Sequence, residues 1–200
     1  MIVYVLGFPH CGTTILRNIC SKITGLVEDK VEVYTRSSLN ETKTITNSDV
    51  VCKAPYPVEI TNADKRLFIL RQPDFVFYSL SKRFKQSPVT FPYHTLEDYQ
   101  IALNKFKTDS GFTIKYENLF TDKIKLLFEY LEKPYDKSVL EVDQVSSSLS
   151  PAYHDHFHDL RREWQIKQSF RNMNISNDHE EDREKMEYLI EDYRNAPSIL

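Results

Sequence analysis

The residues Gly7-Phe8-Pro9-His10-Cys11-Gly12-Thr13-Thr14 constrain the fold more than any other stretch. They join an apolar run, Ile2 to Leu6, to a segment in which Ile15, Leu16, Ile19 and Ile23 recur at helical spacing. The order is strand, tight loop, helix. A glycine at each end lets the backbone turn sharply and approach a ligand. The helix that follows presents free N–H groups and the positive end of its dipole, so the loop reads as a cradle for an anion, usually a phosphate.

Strand and helix patterns alternate along the rest of the chain. Lys30 to Tyr34 alternates as a second strand, Ser37 to Ser48 is a polar surface excursion, and Asp49 to Lys53 is a short strand stopped by Pro55 and Pro57. Arg66 to Arg71 has the continuous apolar middle of a parallel strand buried on both faces. Pro73 opens a helix to about Phe84, Ser87 to His94 reads as a loop, Leu96 to Phe106 as an amphipathic helix, Gly111 to Tyr116 as a strand, and Ile124 to Leu131 as helix. These expectations add up to a three-layer α/β/α domain with a mainly parallel sheet.

The 200 residues suit one domain, with a core over 1–145 and, after the break at Ser146 to Pro151, a covering segment over 146–200. In that segment Asp178 to Arg194 reads as a charged surface helix packed by a narrow stripe of Met186, Leu189, Ile190 and Tyr193, with no chemistry of its own. With 26 basic and 29 acidic side chains the formal charge is −3, so no global field draws the chain to nucleic acid. No apolar run approaches the ~20 residues of a membrane span, and the N-terminal run reads as a core strand and not a signal peptide. Cys11, Cys20 and Cys52 are odd in number and widely spaced, which points to free thiols in a reducing, cytoplasmic setting. A thiol at a helix N-terminus can have a lowered pKa, so Cys11 is noted separately.

The loop has the spacing of the nucleotide-binding P-loop, G-x4-G-K-[ST], except that Thr13 stands where the lysine would be. A threonine cannot supply the charge that reaches the terminal phosphates of ATP or GTP, which disfavours an ordinary NTPase. Pro9-His10-Cys11-Gly12-Thr13-Thr14 resembles instead the P-[KR]-S-G-T-T loop of sulfotransferases. A second cluster, Arg71-Gln72-Pro73 through Ser79, resembles that family's R-x-P-x5-S motif residue for residue. It begins where a buried strand ends, the place in open α/β sheets where ligands bind. A third, Tyr116-Glu117-Asn118-Leu119, resembles the family's Y-E-D-L, in the right order along the chain.

The resemblance spans about residues 2 to 135 and implies a P-loop NTPase-like fold with 3′-phosphoadenosine 5′-phosphosulfate (PAPS) as the sulfuryl donor and adenosine 3′,5′-bisphosphate as product. It implies that Pro9, His10, Cys11, Gly12, Thr13 and Thr14 bind the 5′-phosphosulfate, that Arg71 and Ser79 bind the 3′-phosphate, and that Tyr116 neighbours adenine. No metal is implied. The acceptor would be a hydroxyl, or an amine, on a small molecule, sugar, lipid or peptide, reached by in-line displacement.

Departures from the family pattern are informative. His10 replaces the usual loop Lys or Arg; imidazole, with a reference pKa near ~6.5, carries a less certain charge. Cys11 takes the place of the loop serine, which favours a positional role. Lys53-Ala54-Pro55 resembles the K-x-P segment of the protein-tyrosine and some bacterial branches, so Lys53 is the cation that would make up for His10. Pro55 stands where the small-molecule branch has a histidine base, and in the tyrosyl-protein and heparan-type branches the base is a glutamate soon after the first helix. That makes Glu32, or next Glu28, the carboxylate to test, against the plainer reading of Glu32 as an exposed strand carboxylate. In the C-terminal region Arg161 and Arg162, beside Trp164, are candidates for basic contacts to the 3′-phosphate, although the family's glycine-containing basic motif is absent. His154, His156 and His158 alternate as strand-face metal ligands would, yet no partner of metal spacing accompanies them, and a solvated loop is preferred. Two rival functions remain: a nucleotide kinase-like phosphotransferase, and a catalytically silent nucleotide-binding or interaction protein.

Overall fold

Ile2–Gly7 forms the first strand, β1, and its neighbours on both sides are parallel to it. A computed structural model describes residues 1–29, 42–55, 58–84, 95–140 and 180–200. In chain order the elements are β1, α1 (Thr13–Thr24), β2 (Val27–Glu28), β3 (Thr42–Lys43), β4 (Val50–Pro55), β5 (Glu59–Ile60), β6 (Lys65–Leu70), α2 (Pro73–Phe84), α3 (Leu96–Thr108), β7 (Phe112–Lys115), α4 (Lys125–Tyr130) and α5 (Glu180–Asn195). Five strands make one all-parallel sheet in the order β2-β4-β1-β6-β7, and β3 pairs with β5 in a separate two-stranded sheet.

Alternation along each strand divides the core into two layers. Tyr4, Leu6, Cys52, Phe68 and Leu70 face α2, α3 and α5, while Val3, Val5, Val51, Leu67 and Ile69 face α1 and α4. This is a three-layer α/β/α arrangement, as the alternating pattern leads one to expect. Glu97 of α3 pairs with Lys185 of α5, and Lys107 with Asp192 at 2.6 Å, so the C-terminal helix is fastened to α3 by ion pairs as well as by Met186, Leu189 and Tyr193. Beyond α5 the chain runs to Leu200, which is fully buried; its N–H donates to the Thr113 carbonyl at 3.1 Å and its carbonyl accepts from Lys115 at 2.7 Å, extending the ladder past β7.

Several details differ from the sequence reading: β4 runs on through Pro55, which pairs with Gly7 and does not stop the strand, and β5 was not expected. The polar stretch taken as a surface excursion carries β3, and a short strand, β2, precedes the one expected at Lys30 to Tyr34, which lies outside the described residues. Cys11, Cys20 and Cys52 are free and buried.

Candidate anion-binding site

Because the strands order as β2-β4-β1-β6-β7, the chain leaves β1 toward one side of the sheet and returns to β6 on the other. A crevice opens at such a switch point, outside the carboxyl ends of β1 and β6, and it is there that open α/β sheets bind ligands. The carboxyl end of β1 carries the Gly7–Gly12 turn; that of β6 carries Arg71.

The turn is built from two left-handed residues, His10 at φ 65° and Gly12 at φ 95°. The Cys11 N–H closes it on the Phe8 carbonyl at 3.1 Å, and the Gly12 carbonyl accepts the first helical bond of α1 from Leu16 at 3.0 Å. No side chain caps this helix, so its leading N–H groups receive no acceptor from the cap residue. Gly7 allows the close approach: a Cβ there would stand 2.4 Å from the Ile69 carbonyl oxygen.

Three nitrogen-bearing side chains converge on the turn. Lys53, opposite Val5 in the sheet and 9% exposed, donates from Nζ to Thr14 Oγ1 at 2.6 Å. An ammonium therefore lies against the loop although Thr13 holds the usual lysine position. His10 Nδ1 and Ser79 Oγ share a hydrogen bond of 2.8 Å, joining the loop to α2. Arg71 is 5% exposed; its guanidinium carbon lies 4.5 Å from the centre of the Tyr116 ring and 5.3 Å from that of Phe75. Its Nε is buried and has no hydrogen-bond partner among the described residues. A buried donor on a permanently charged group is costly to leave unmade, and Arg17 Nε and Arg66 Nε are in the same condition.

Tyr116 is 3% exposed and forms part of the wall: Arg71 covers its face, and a Cβ on Gly12 would meet its ring carbons at 2.5 and 2.6 Å. Cys11 is buried against the backbone of Arg71. Burial pushes its thiol well up, and the Arg71 backbone N–H and charge offset this only in part, so the lowered pKa that its helix position allows is not what its surroundings produce. Glu28 pairs with Arg17 at 2.8 Å; the Asn18 amide, oriented with its NH2 toward acceptors, donates to both Glu28 oxygens at 2.7 and 3.0 Å and to the Thr14 carbonyl at 3.1 Å. Glu32, Arg161, Arg162, His154 and the loop from Phe91 to His94 lie outside the described residues.

Sequence reasoning missed the groups that hold Arg71. Tyr99 Oη donates to the Arg71 carbonyl at 2.7 Å, Glu117 accepts the Gln72 N–H at 3.2 Å, and Tyr193 Oη donates to Glu117 at 2.6 Å. Tyr99 and Tyr193 stand at apolar positions of their helices, where an aromatic ring signals packing, and nothing in the pattern betrays the hydroxyl's partner. Among the described residues no group of three His, Cys, Asp or Glu could hold a metal ion, and no helix is long and apolar enough to cross a membrane.

No protein-family model matches the sequence, and no curated protein matches it. Among solved structures, mouse sulfotransferase SULT7A1, determined in complex with PAP, is similar over 93% of this chain and 88% of its own, at 12% identity and a TM-score of 0.45.

Proposed function

We propose that the chain is a sulfotransferase that binds PAPS across this crevice and passes its sulfuryl group to a hydroxyl or amine acceptor. The observation that carries the reading is Arg71, buried at the carboxyl end of β6 beside an uncapped glycine turn, with an Nε that has no hydrogen-bond partner among the described residues. A glycine turn and an arginine side by side suit a nucleotide whose ribose carries phosphate groups at both its 3′ and 5′ positions. The donor set fits: Thr13, Thr14, the α1 N–H groups and Lys53 would hold the 5′-phosphosulfate, and Arg71 and Ser79 the 3′-phosphate. When bound, the donor supplies a sulfuryl group whose bond to the 5′-phosphate breaks as the bond to the acceptor oxygen forms.

The protein's own part is electrostatic. Lys53 brings a cation to the oxygens of the leaving phosphate, and His10, hydrogen-bonded to Ser79, adds a donor between the two phosphate sites. The acceptor must also lose a proton. Glu28 is engaged by Arg17 and Asn18, so Glu32 is our choice for the base. Arg161 and Arg162 would complete the 3′-phosphate site.

Calorimetry with adenosine 3′,5′-bisphosphate and with ADP plus Mg²⁺, followed by transfer of labelled sulfate from PAPS to a panel of hydroxylated acceptors, tests this. Binding of the bisphosphate alone and label transfer support it. Preference for ADP and Mg²⁺ would establish the kinase-like alternative, and binding without transfer a silent nucleotide-binding protein. Glu32→Gln is expected to abolish transfer while leaving bisphosphate affinity intact.

A further inference from the structure

One peptide group, between Arg71 and Gln72, is gripped from both sides. Its carbonyl accepts from Tyr99 Oη of α3 at 2.7 Å, and its N–H donates to Glu117 Oε1 at 3.2 Å. The second oxygen of Glu117 accepts from Tyr193 Oη of α5 at 2.6 Å, and the same hydroxyl lies 3.2 Å from the Leu70 carbonyl. A hydroxyl has one proton, and the shorter contact to an ionised acceptor takes it. Glu117 directly follows Tyr116, the ring on which the Arg71 guanidinium rests at 4.5 Å. The strut therefore sets the backbone that launches Arg71 and the ring that receives it.

We propose that Glu117 and Tyr193 are positioning residues for Arg71, so that the C-terminal helix, through one hydroxyl, fixes the geometry of the 3′-phosphate site. The inference rests on the sulfotransferase reading for its ligand, but not for its geometry. Burial raises the Tyr193 hydroxyl well above its ordinary pKa, with the Glu117 charge adding to this, so it stays a donor through the neutral range. Removing the hydroxyl leaves the ring packed but leaves one Glu117 oxygen without its phenol. Replacing Glu117 by glutamine keeps an acceptor for the Gln72 N–H and offers its amide to the Tyr193 oxygen, whose proton can turn to the Leu70 carbonyl.

Tyr193→Phe, Glu117→Ala and Glu117→Gln are the variants to make in the full chain. The ligand-free readout is the ¹⁵N–¹H resonance of Arg71 Nε, which senses the Tyr116 ring beneath it. It is expected to move in Tyr193→Phe and Glu117→Ala and to stay in Glu117→Gln; an unmoved signal in the first two overturns the proposal. The second readout is the ratio of affinities for adenosine 3′,5′-bisphosphate and adenosine 5′-monophosphate, expected to fall about tenfold in those two variants with the monophosphate unchanged, the effect of a lost hydrogen bond to a charged group. Equal loss for both nucleotides would mark a general structural defect and also overturn it. A wild type that binds neither nucleotide sinks the functional reading, while the resonance still decides the strut.

Discussion

At Gly12 the backbone conformation and the space around it make the same demand. Its φ of 95° lies where a side chain is strained, and a Cβ would sit 2.5 Å from a ring carbon of Tyr116. Gly12→Ala should therefore lose about 2 kcal/mol of stability, the sum of a left-handed alanine and a displaced ring. A denaturant melt measures the loss, and the ring resonances of Tyr116 should move with it; a variant as stable as wild type would show that the turn is looser than it looks. His10 also occupies the left-handed region, at φ 65°, which adds backbone strain to the same turn. The need for glycine at 7 and 12 was legible from spacing alone. That Gly12 is also pressed against Tyr116, more than a hundred positions away, was not, because nothing local to either residue records the contact.

Among elements, α5 and the residues after it bind the covering layer to the sheet. Leu200 is fully buried beside β7 and continues its ladder, so Leu200→Ala is expected to cost about 2 kcal/mol and to raise hydrogen exchange at Lys115, whose N–H it accepts. The Glu97–Lys185 pair responds to acid. The hydrogen bond from Lys185 holds the Glu97 carboxyl below its usual range, so the pair's stabilisation is present above the unfolded carboxylate's pKa and is lost as pH falls through the lower folded one. The protection of α5 amides, once exchange is corrected for its own pH dependence, should fall as pH drops below about 4.3, and less so in Lys185→Met; the contribution is small because Glu97 is largely exposed. The stripe of Met186, Leu189 and Tyr193 was readable as a packing face, and it packs as expected. Its hydroxyl was not readable as part of a site, since periodicity reports which side of a helix is apolar and is silent on what a phenol oxygen meets. The two-residue strands β2, β3 and β5 escaped notice for a related reason: so few residues carry no alternation to detect.

For the whole molecule, the sheet order explains why residues distant in sequence share one cleft. The doubling back at β1 brings the first turn and the end of β6 together, and the alternation of strands and helices made the parallel layers legible without revealing which strands would be neighbours. A chain with a formal charge of −3 nevertheless gathers Lys53, Arg71 and His10 at this place, so the anion binding proposed above would come from these local groups and not from net charge. This gives a test that reads global stability. A ligand bound only by the native state stabilises it by about 2.7 kcal/mol at ~100 times its Kd. For a domain of 200 residues that corresponds to a rise in Tm of about 5–10 °C. Adenosine 3′,5′-bisphosphate should produce this rise, while ADP with Mg²⁺ and adenosine 5′-monophosphate should each produce a smaller shift, because they engage only the glycine turn. In Arg71→Met, which keeps an apolar stem against Tyr116 and Phe75 but removes the charge, the bisphosphate shift should shrink to that of the monophosphate. If the two nucleotides already give equal shifts in the wild type, Arg71 holds no phosphate, and the cleft has one anion site instead of two.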